Sequence, residues 1–514
     1  MKALSKIPTS PVSPPEVRVM RLSAVGAGPR RLDSENYLSG GHQLRQRLAE
    51  SRVQLVNLGT MAAIWQPGRL KGILVEKGHG LPFLAATQVF DVRPTPRKWL
   101  SAARTPEAAQ LYVEPRWILV TRSGIVGNAM IAHAPHKGTI ISDDLLRIVP
   151  KNVGDTGFLY AFLRTSHARS MTGATKYGNV IKHLEPEHLL ELPVPMVGGE
   201  ALRNEIADSI RLCFDWRDRA FSLETEAEQE LEKAVGIGTI SDAGGSFSVG
   251  SKELFVKGRR LDATFHDPRV AAILARFRTA KLRTETLQSV SERVWWMTRF
   301  KRVPGDQGAE YMSADDLFTV NPTITKHIML EQVDKPSDFY VKAGWIAMVC
   351  SGQVYGLNGS VALMTKRHER FFMSHDLIRI IPREDAIRPG YLCAVMGHPT
   401  LGRPLVLRIS YGTSIPHLEP ADVASMPIVR LALKQEISIA DKIERASAMR
   451  GDADTLENRT VELLEAAIGR ALGDVTEDGY DACLARFRLQ EEKYDPSRLV
   501  SGKKLKAELD ELLS

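Results

Sequence analysis

Only four cysteines occur in 514 residues. Cys213, Cys350, Cys393 and Cys483 stand far apart, with no CxxC pair and no histidine at metal-ligand spacing, so reduced thiols and no zinc are expected. No run of about eighteen apolar residues appears, and the Pro/Ser-rich start MKALSKIPTSPVSPPEVRV lacks an apolar signal core, which makes a cytoplasmic location the expectation. Enzymatic signatures are missing as well. There is no Walker loop, and no Asn/Asp-Pro-Pro-aromatic loop of the kind that holds a flipped base. The only Asn-Pro pair, Asn321-Pro322, reads as a strand terminator. Gly26-Ala27-Gly28-Pro29 begins like a dinucleotide fingerprint, but proline follows and no helix opens there. Glu491-Glu492-Lys493, in a charged helical tail, reads as a solvated face. No catalytic activity is legible.

A hydrophobic content of 43% over this length supports two to four packed domains. The formal net charge of +7 leans weakly toward a polyanionic partner. Its clustering says more, because the basic stretch from Lys257 to Arg302 also holds the adjacent pair Trp295 and Trp296.

The chain writes one helix twice. EIADSIRLCFDWRDRAFSLETEAEQELEKAVG, from Glu205, returns 233 positions later as SIADKIERASAMRGDADTLENRTVELLEAAIG, without a gap. Ile206, Ile210, Cys213, Ala220, Ala227, Leu231 and Ala234 form an amphipathic seam that needs a partner helix, and the obvious partner is the other copy. Ala220 and Ala453 would let the two backbones approach closely. Such a pair forms a rod about 45 to 50 Å long.

The repeat extends to most of the chain. RRLD at Arg30 returns at Arg259, and GLPFLAATQVFDVRP matches AEYMSADDLFTVNP, with Phe83 answering Tyr311 and Leu84 answering Met312. WILVTRSG from Trp117 matches WIAMVCSG from Trp345, SDDLLRIVP from Ser142 matches SHDLIRIIP from Ser374, and YGNVIKHLEP from Tyr177 matches YGTSIPHLEP from Tyr411. The blocks mix short β-branched strands with helices. The expected order is an N-terminal extension (1–29), a first module (30–200), a first long helix (201–236), a Gly/Ser-rich linker (237–258), a second module (259–433), a second long helix (434–469) and a helical extension (470–514). The fold class is therefore α/β (α+β), two globular modules separated by two long antiparallel helices with an internal pseudo-two-fold.

Taken together and twice in the same order, these blocks resemble the specificity subunit of type I restriction-modification systems, over about residues 30 to 470. The resemblance implies that the modules are target-recognition domains and the helices are spacers. It implies recognition of a bipartite, asymmetric duplex DNA site without intrinsic catalysis. The partners would be DNA methyltransferase subunits, in a pair, and restriction or translocase subunits. It also implies no cofactor in this chain; the partners would use S-adenosylmethionine, and ATP and Mg2+ where a restriction subunit is present. A standalone two-headed DNA-binding regulator, or the specificity subunit of another phage-defence complex, stays open.

Arg and Lys suit guanine and Asn suits adenine in the major groove, so stretches that differ between the copies are the candidate readers. In the first module these are Asn128, His133, His136 and Lys137, then Arg164, His167, Arg169, Lys176, Tyr177 and Asn179. In the second they are Arg302, Lys366, Arg367, His368, Arg370, Arg403, Arg408 and Tyr411. His183-Leu184-Glu185-Pro186 and His417-Leu418-Glu419-Pro420 read as corners at which a short helix begins, and the two Ser-Gly pairs as tight turns. Phe214, Trp216 and Phe221 lie beyond the seam and are expected on an outer helix face open to partner helices.

Overall fold

The computed structural model describes Tyr37 and residues 39–175, 183–237, 246–256 and 260–493. The N-terminal extension, the first RRLD block, Lys176, Tyr177 and Asn179 lie outside the described residues.

The long helices are α1 (Gly199–Val235) and α2 (Leu433–Leu472). Both end in a left-handed glycine, Gly236 and Gly473, whose missing Cβ permits the positive φ that closes a helix C-terminus. They pack antiparallel, with Ala220 and Ala453 both fully buried where the copies cross. Arg217 of α1 meets Glu457 of α2 at 2.7 Å, and the repeat-related Arg450 meets Glu224. Lys442 reaches Glu230 at 2.8 Å further along. Such partners are possible only when a pseudo-two-fold axis passes through the helix pair.

Each module is built on an antiparallel sheet of the same topology. In the first, β1 (Ala62–Trp65), β2 (Ile118–Thr121), β3 (Ala129–Ile131) and β4 (Leu145–Pro150) lie in the order β1-β4-β2-β3. In the second, β5 (Ser291–Trp296), β6 (Ile346–Val349), β7 (Val361–Leu363) and β8 (Leu377–Pro382) lie in the order β5-β8-β6-β7. Register agrees as well: Trp65 lies opposite Arg147 and Trp295 opposite Arg379. Arg147 and Arg379 are completely buried and donate to backbone carbonyls, Arg147 to Ile141 at 2.8 Å and Arg379 to Phe339 at 3.1 Å. Burial lowers both guanidinium pKa values to about 10. A second small sheet carries a parallel pair in each copy, Phe83 opposite Ile140 and Tyr311 opposite Phe372.

The first module's core closes on the start of α1 and the end of α2, the second's on the end of α1 and the start of α2. Two further contacts join the modules across the axis. The amide of Val92 donates to the Phe318 carbonyl and that of Val320 to the Phe90 carbonyl, both at 2.8 Å, around an Asp91–Thr319 bridge. The helix pair is therefore not the sole spacer between the modules; a two-strand backbone clasp on the axis joins them.

The symmetry is broken at one place beside this clasp. Tyr160 and Arg164 fill the first side, the hydroxyl of Tyr160 donating to Glu457 at 3.0 Å. Their counterparts Cys393 and Gly397 are small and line a cavity of about 470 Å³ on the second side. Burial raises the Cys393 thiol pKa to about 12, so it stays protonated.

The outer-face expectation for α1 is corrected. Phe214 and Trp216 are buried, Phe214 edge-on to Tyr160 and His133 with ring centroids 5.4 and 5.3 Å away. The guanidinium of Arg93 lies 5.6 Å over Phe221. The modules wrap the helix flanks, so apolar residues off the seam face module cores rather than open surface. The extension also has a place: α3 (Glu477–Lys493) sets Tyr480 and Phe487 into the first module's core, and Arg470 stacks 3.7 Å over Tyr480.

Candidate nucleic-acid interface

The Ser-Gly strand ends and the His-Leu-Glu-Pro corners converge. Gly124 and Gly352 take φ of 73° and 125°, the left-handed region that suits glycine, where the chain turns out of β2 and β6. In the second module the amide of Gly352 donates to the Pro416 carbonyl at 3.1 Å, and Asn358 ties the same carbonyl at 3.0 Å. Ser351 bridges His417, which bridges Tyr411, and the Ser351 hydroxyl donates to Asp376 at 3.2 Å. Pro186 and Pro420 then open short helices, with Glu185 and Glu419 at their N-caps.

Several candidates lie on this edge. Tyr411 is 40% exposed and its hydroxyl donates to Glu419, the carboxylate acceptor that, with burial, raises the phenol pKa to about 12. Arg302 lies 5.2 Å over Tyr311 and 3.3 Å from Asp376, half in solvent. Arg408 and Arg260 both lie over Phe265, at 4.6 and 5.0 Å, and burial with the neighbouring Arg260 charge lowers the Arg408 pKa. Nothing in the repeat singled out Arg260 as functional; its packing on the 409–410 backbone, with Nη1 3.2 Å from the Ile409 carbonyl, ties the RRLD block to this edge.

Other candidates are taken up inside the molecule. Arg164 donates to the Asn321 carbonyl at 2.9 Å and faces Glu457 at 3.4 Å, and Arg169 donates to Thr323 at 3.0 Å. Both join the first module to the second. Arg367 pairs with Asp454 of α2 and donates to Asn321 at 2.8 Å. His368 accepts the Thr365 amide at 3.0 Å, and burial drives its pKa down to about 4. In the first module His136 plays the same part, accepting the His133 amide at 3.1 Å with its pKa also near 4 through burial. The two stretches that differ in sequence are thus equivalent short turns docked on the long helices. His133 and the Ala134 amide both reach Asp218 of α1, at 2.8 and 2.9 Å. Arg164 and Arg367 are thus committed to ion pairs within the chain, and His368 is held neutral against its own turn. Arg403 is likewise held by the Gly356 carbonyl at 2.6 Å.

Lys137 and Lys366 remain exposed on those turns, and Arg370 is exposed beside Glu310 at 3.5 Å. Asn128 is half-buried in the β2–β3 hairpin, its backbone exchanging hydrogen bonds with Thr121. Among the described residues no cluster of His, Cys, Asp and Glu is placed to hold a metal ion, and no helix is long and apolar enough to cross a membrane.

No family model matches the chain, and no curated protein matches it. Solved structures to which it is similar include a type I restriction-modification system S subunit and an HsdS subunit. The S subunit from M. genitalium aligns at 11% identity over 82% of this chain and 96% of its own, with a TM-score of 0.29. The HsdS subunit from Thermoanaerobacter tengcongensis aligns at 13% identity over 82% of this chain and 97% of its own, with a TM-score of 0.24.

Proposed function

We propose that this chain is the DNA-specificity subunit of a restriction-modification complex. It reads a bipartite, asymmetric duplex site, one half with each module, and brings methyltransferase subunits, and restriction subunits where present, to that site. One observation carries the reading: two modules whose main sheets share one strand order sit on a pseudo-two-fold helix pair, while the loops at their equivalent edges differ in chemistry. A near-symmetric frame sets a fixed separation and orientation, and differing edges select different bases. Methyl transfer, with its S-adenosylmethionine, and any ATP- and Mg2+-dependent translocation belong to the partners in this reading. The half-sites would be centred about 10 to 13 base pairs apart, allowing for modules that lean inward along a helix pair about 55 Å long. The cations at the module edges, Arg302, Arg370, Arg408, Lys137 and Lys366, together with Asn128 and Tyr411, are the proposed DNA-facing set within the described residues; Lys176, Tyr177 and Asn179 complete it in the first module.

The test is reconstitution. Purified chain given duplex DNA and methyl donor alone should transfer no methyl groups; adding a partner methyltransferase subunit should give methylation at one split motif. Methyl transfer by the chain alone, or methylation that ignores its presence, overturns the proposal.

A further inference from the structure

One pair of loops repeats its chemistry where the neighbouring edges do not. Trp65 ends β1 with its ring edge-on to Trp117 at 5.2 Å, and Trp295 repeats this against Trp345 at 5.4 Å. Counting on from each Trp, the fourth to sixth residues are Arg69-Leu70-Lys71 in the first module and Arg299-Phe300-Lys301 in the second. The register is the same in both. The central apolar residue is the anchor. Leu70 packs on the small core of Leu100, Leu111 and Ile140, and Phe300 packs edge-on to Phe339 and Phe372 at 5.0 and 5.5 Å. The flanking cations are all exposed, and among the described residues none of the four is engaged by an acid. Exposed and unpaired with any acid among the described residues, the four cations form two matched pairs open to an anion from outside the chain.

Both loops abut the turn that borders the candidate interface. Gln66 donates to the Asp143 carbonyl at 3.1 Å, and Phe300 lies 5.6 Å from His375, the repeat counterpart of Asp143. Asp376, the next residue, is the one that holds Ser351 and Arg302.

The geometry points to a duplicated phosphate clamp: Arg69 with Lys71, and Arg299 with Lys301, grip the sugar-phosphate backbone of duplex DNA on the two half-sites. This rests on the proposed function and adds a role to it. Modules that read different bases must differ where they read, but the backbone is the same for every sequence, so matched chemistry in both copies fits a sequence-independent contact. Alternate residues of an extended chain stand at most about 7 Å apart, the rise of about two phosphates along one strand. The central anchor keeps both cations pointing away from the module.

The test uses the full chain and a random-sequence duplex of about 30 base pairs, with affinity followed against salt. Each neutralised phosphate contributes about 0.9 to the slope of log affinity against log salt. R69A/K71A and R299A/K301A should each lower the slope by about 1.8, so that each loses about tenfold less affinity than the wild type over a fourfold rise in salt. Both should melt at the wild-type temperature, and R69K/K71R should keep the wild-type slope. Unchanged slopes in both variants, with wild-type binding intact, overturn the clamp and leave the specificity reading standing. Wild-type protein that binds no duplex even at low salt overturns the clamp, whereas absence of split-motif methylation on reconstitution overturns the specificity reading. Unchanged DNA binding with loss of the methyltransferase subunit assigns the loops to a protein partner and also overturns the clamp.

Discussion

Arg217 on the first long helix meets Glu457 on the second at 2.7 Å, both side chains almost wholly buried. Burial alone would raise the Glu457 pKa, but Arg217 and Arg164 outweigh it and hold the carboxyl below the usual carboxylate range. Removing one partner strands a buried charge, a loss of about 3 to 5 kcal/mol, whereas replacing both by apolar residues is often near neutral. R217M should therefore be strongly destabilised, and R217M/E457L should recover part of the loss, the rest reflecting Asp454, Arg164 and Tyr160 left without these partners. Urea unfolding of the two singles and the double decides this; two single effects that simply add would contradict a coupled buried pair.

Acid should unfold the helix-docked turns. His136 and His368 have folded pKa values near 4 because they are buried neutral, Nδ1 of each accepting a backbone amide. A base whose folded pKa lies below its unfolded value of about 6.5 gives stability that is complete above 6.5 and lost as pH falls toward 4, on the order of 3 kcal/mol per histidine. H136N/H368N should be less stable at pH 7 and show a shallower fall between pH 6.5 and 4. An unchanged fall would mean that these histidines are already charged in the folded protein.

Arg367 and Lys366 should part company. The Arg367 guanidinium ties the turn to Asp454 and Asn321, so R367A should lose about 1 to 3 kcal/mol of stability. Lys366 is exposed, and K366A should stay within about 0.5 kcal/mol of wild type. Thermal melts of the two variants test this, and equal Tm values would contradict the docked turn.

Phe487, fully buried under the first module, makes the C-terminal helix part of that core. F487A should cost about 3 to 5 kcal/mol. A variant as stable as wild type in the same urea assay would show that the helix does not hold there.

The helix pair was legible because a gapless repeat matches Ile206 to Ile439, Arg217 to Arg450 and Glu224 to Glu457, so both helices carry one seam and each needs the other to cover it. Phe83 and Tyr311 were likewise matched by register alone. The fate of Arg164 and Arg367 was not legible. An arginine in a variable loop looks the same whether its anion is a phosphate or a glutamate far along the chain, and only packing separates the two. Arg69 and Lys71 escaped notice for another reason: their match to Arg299 and Lys301 falls in the gap between two recognised blocks whose offsets differ by one residue. Phe214 and Trp216 misled because helical periodicity reports how many faces are apolar, not what covers each face.

The most direct test of two differing readers on one symmetric frame is the methylated motif itself, read base by base from the genome of a cell carrying this chain and its methyltransferase. The predicted result is one asymmetric motif in two specified parts, centred about 10 to 13 base pairs apart and separated by a fixed run of unspecified bases. A continuous motif, a palindromic one, or a gap of variable length would contradict the account.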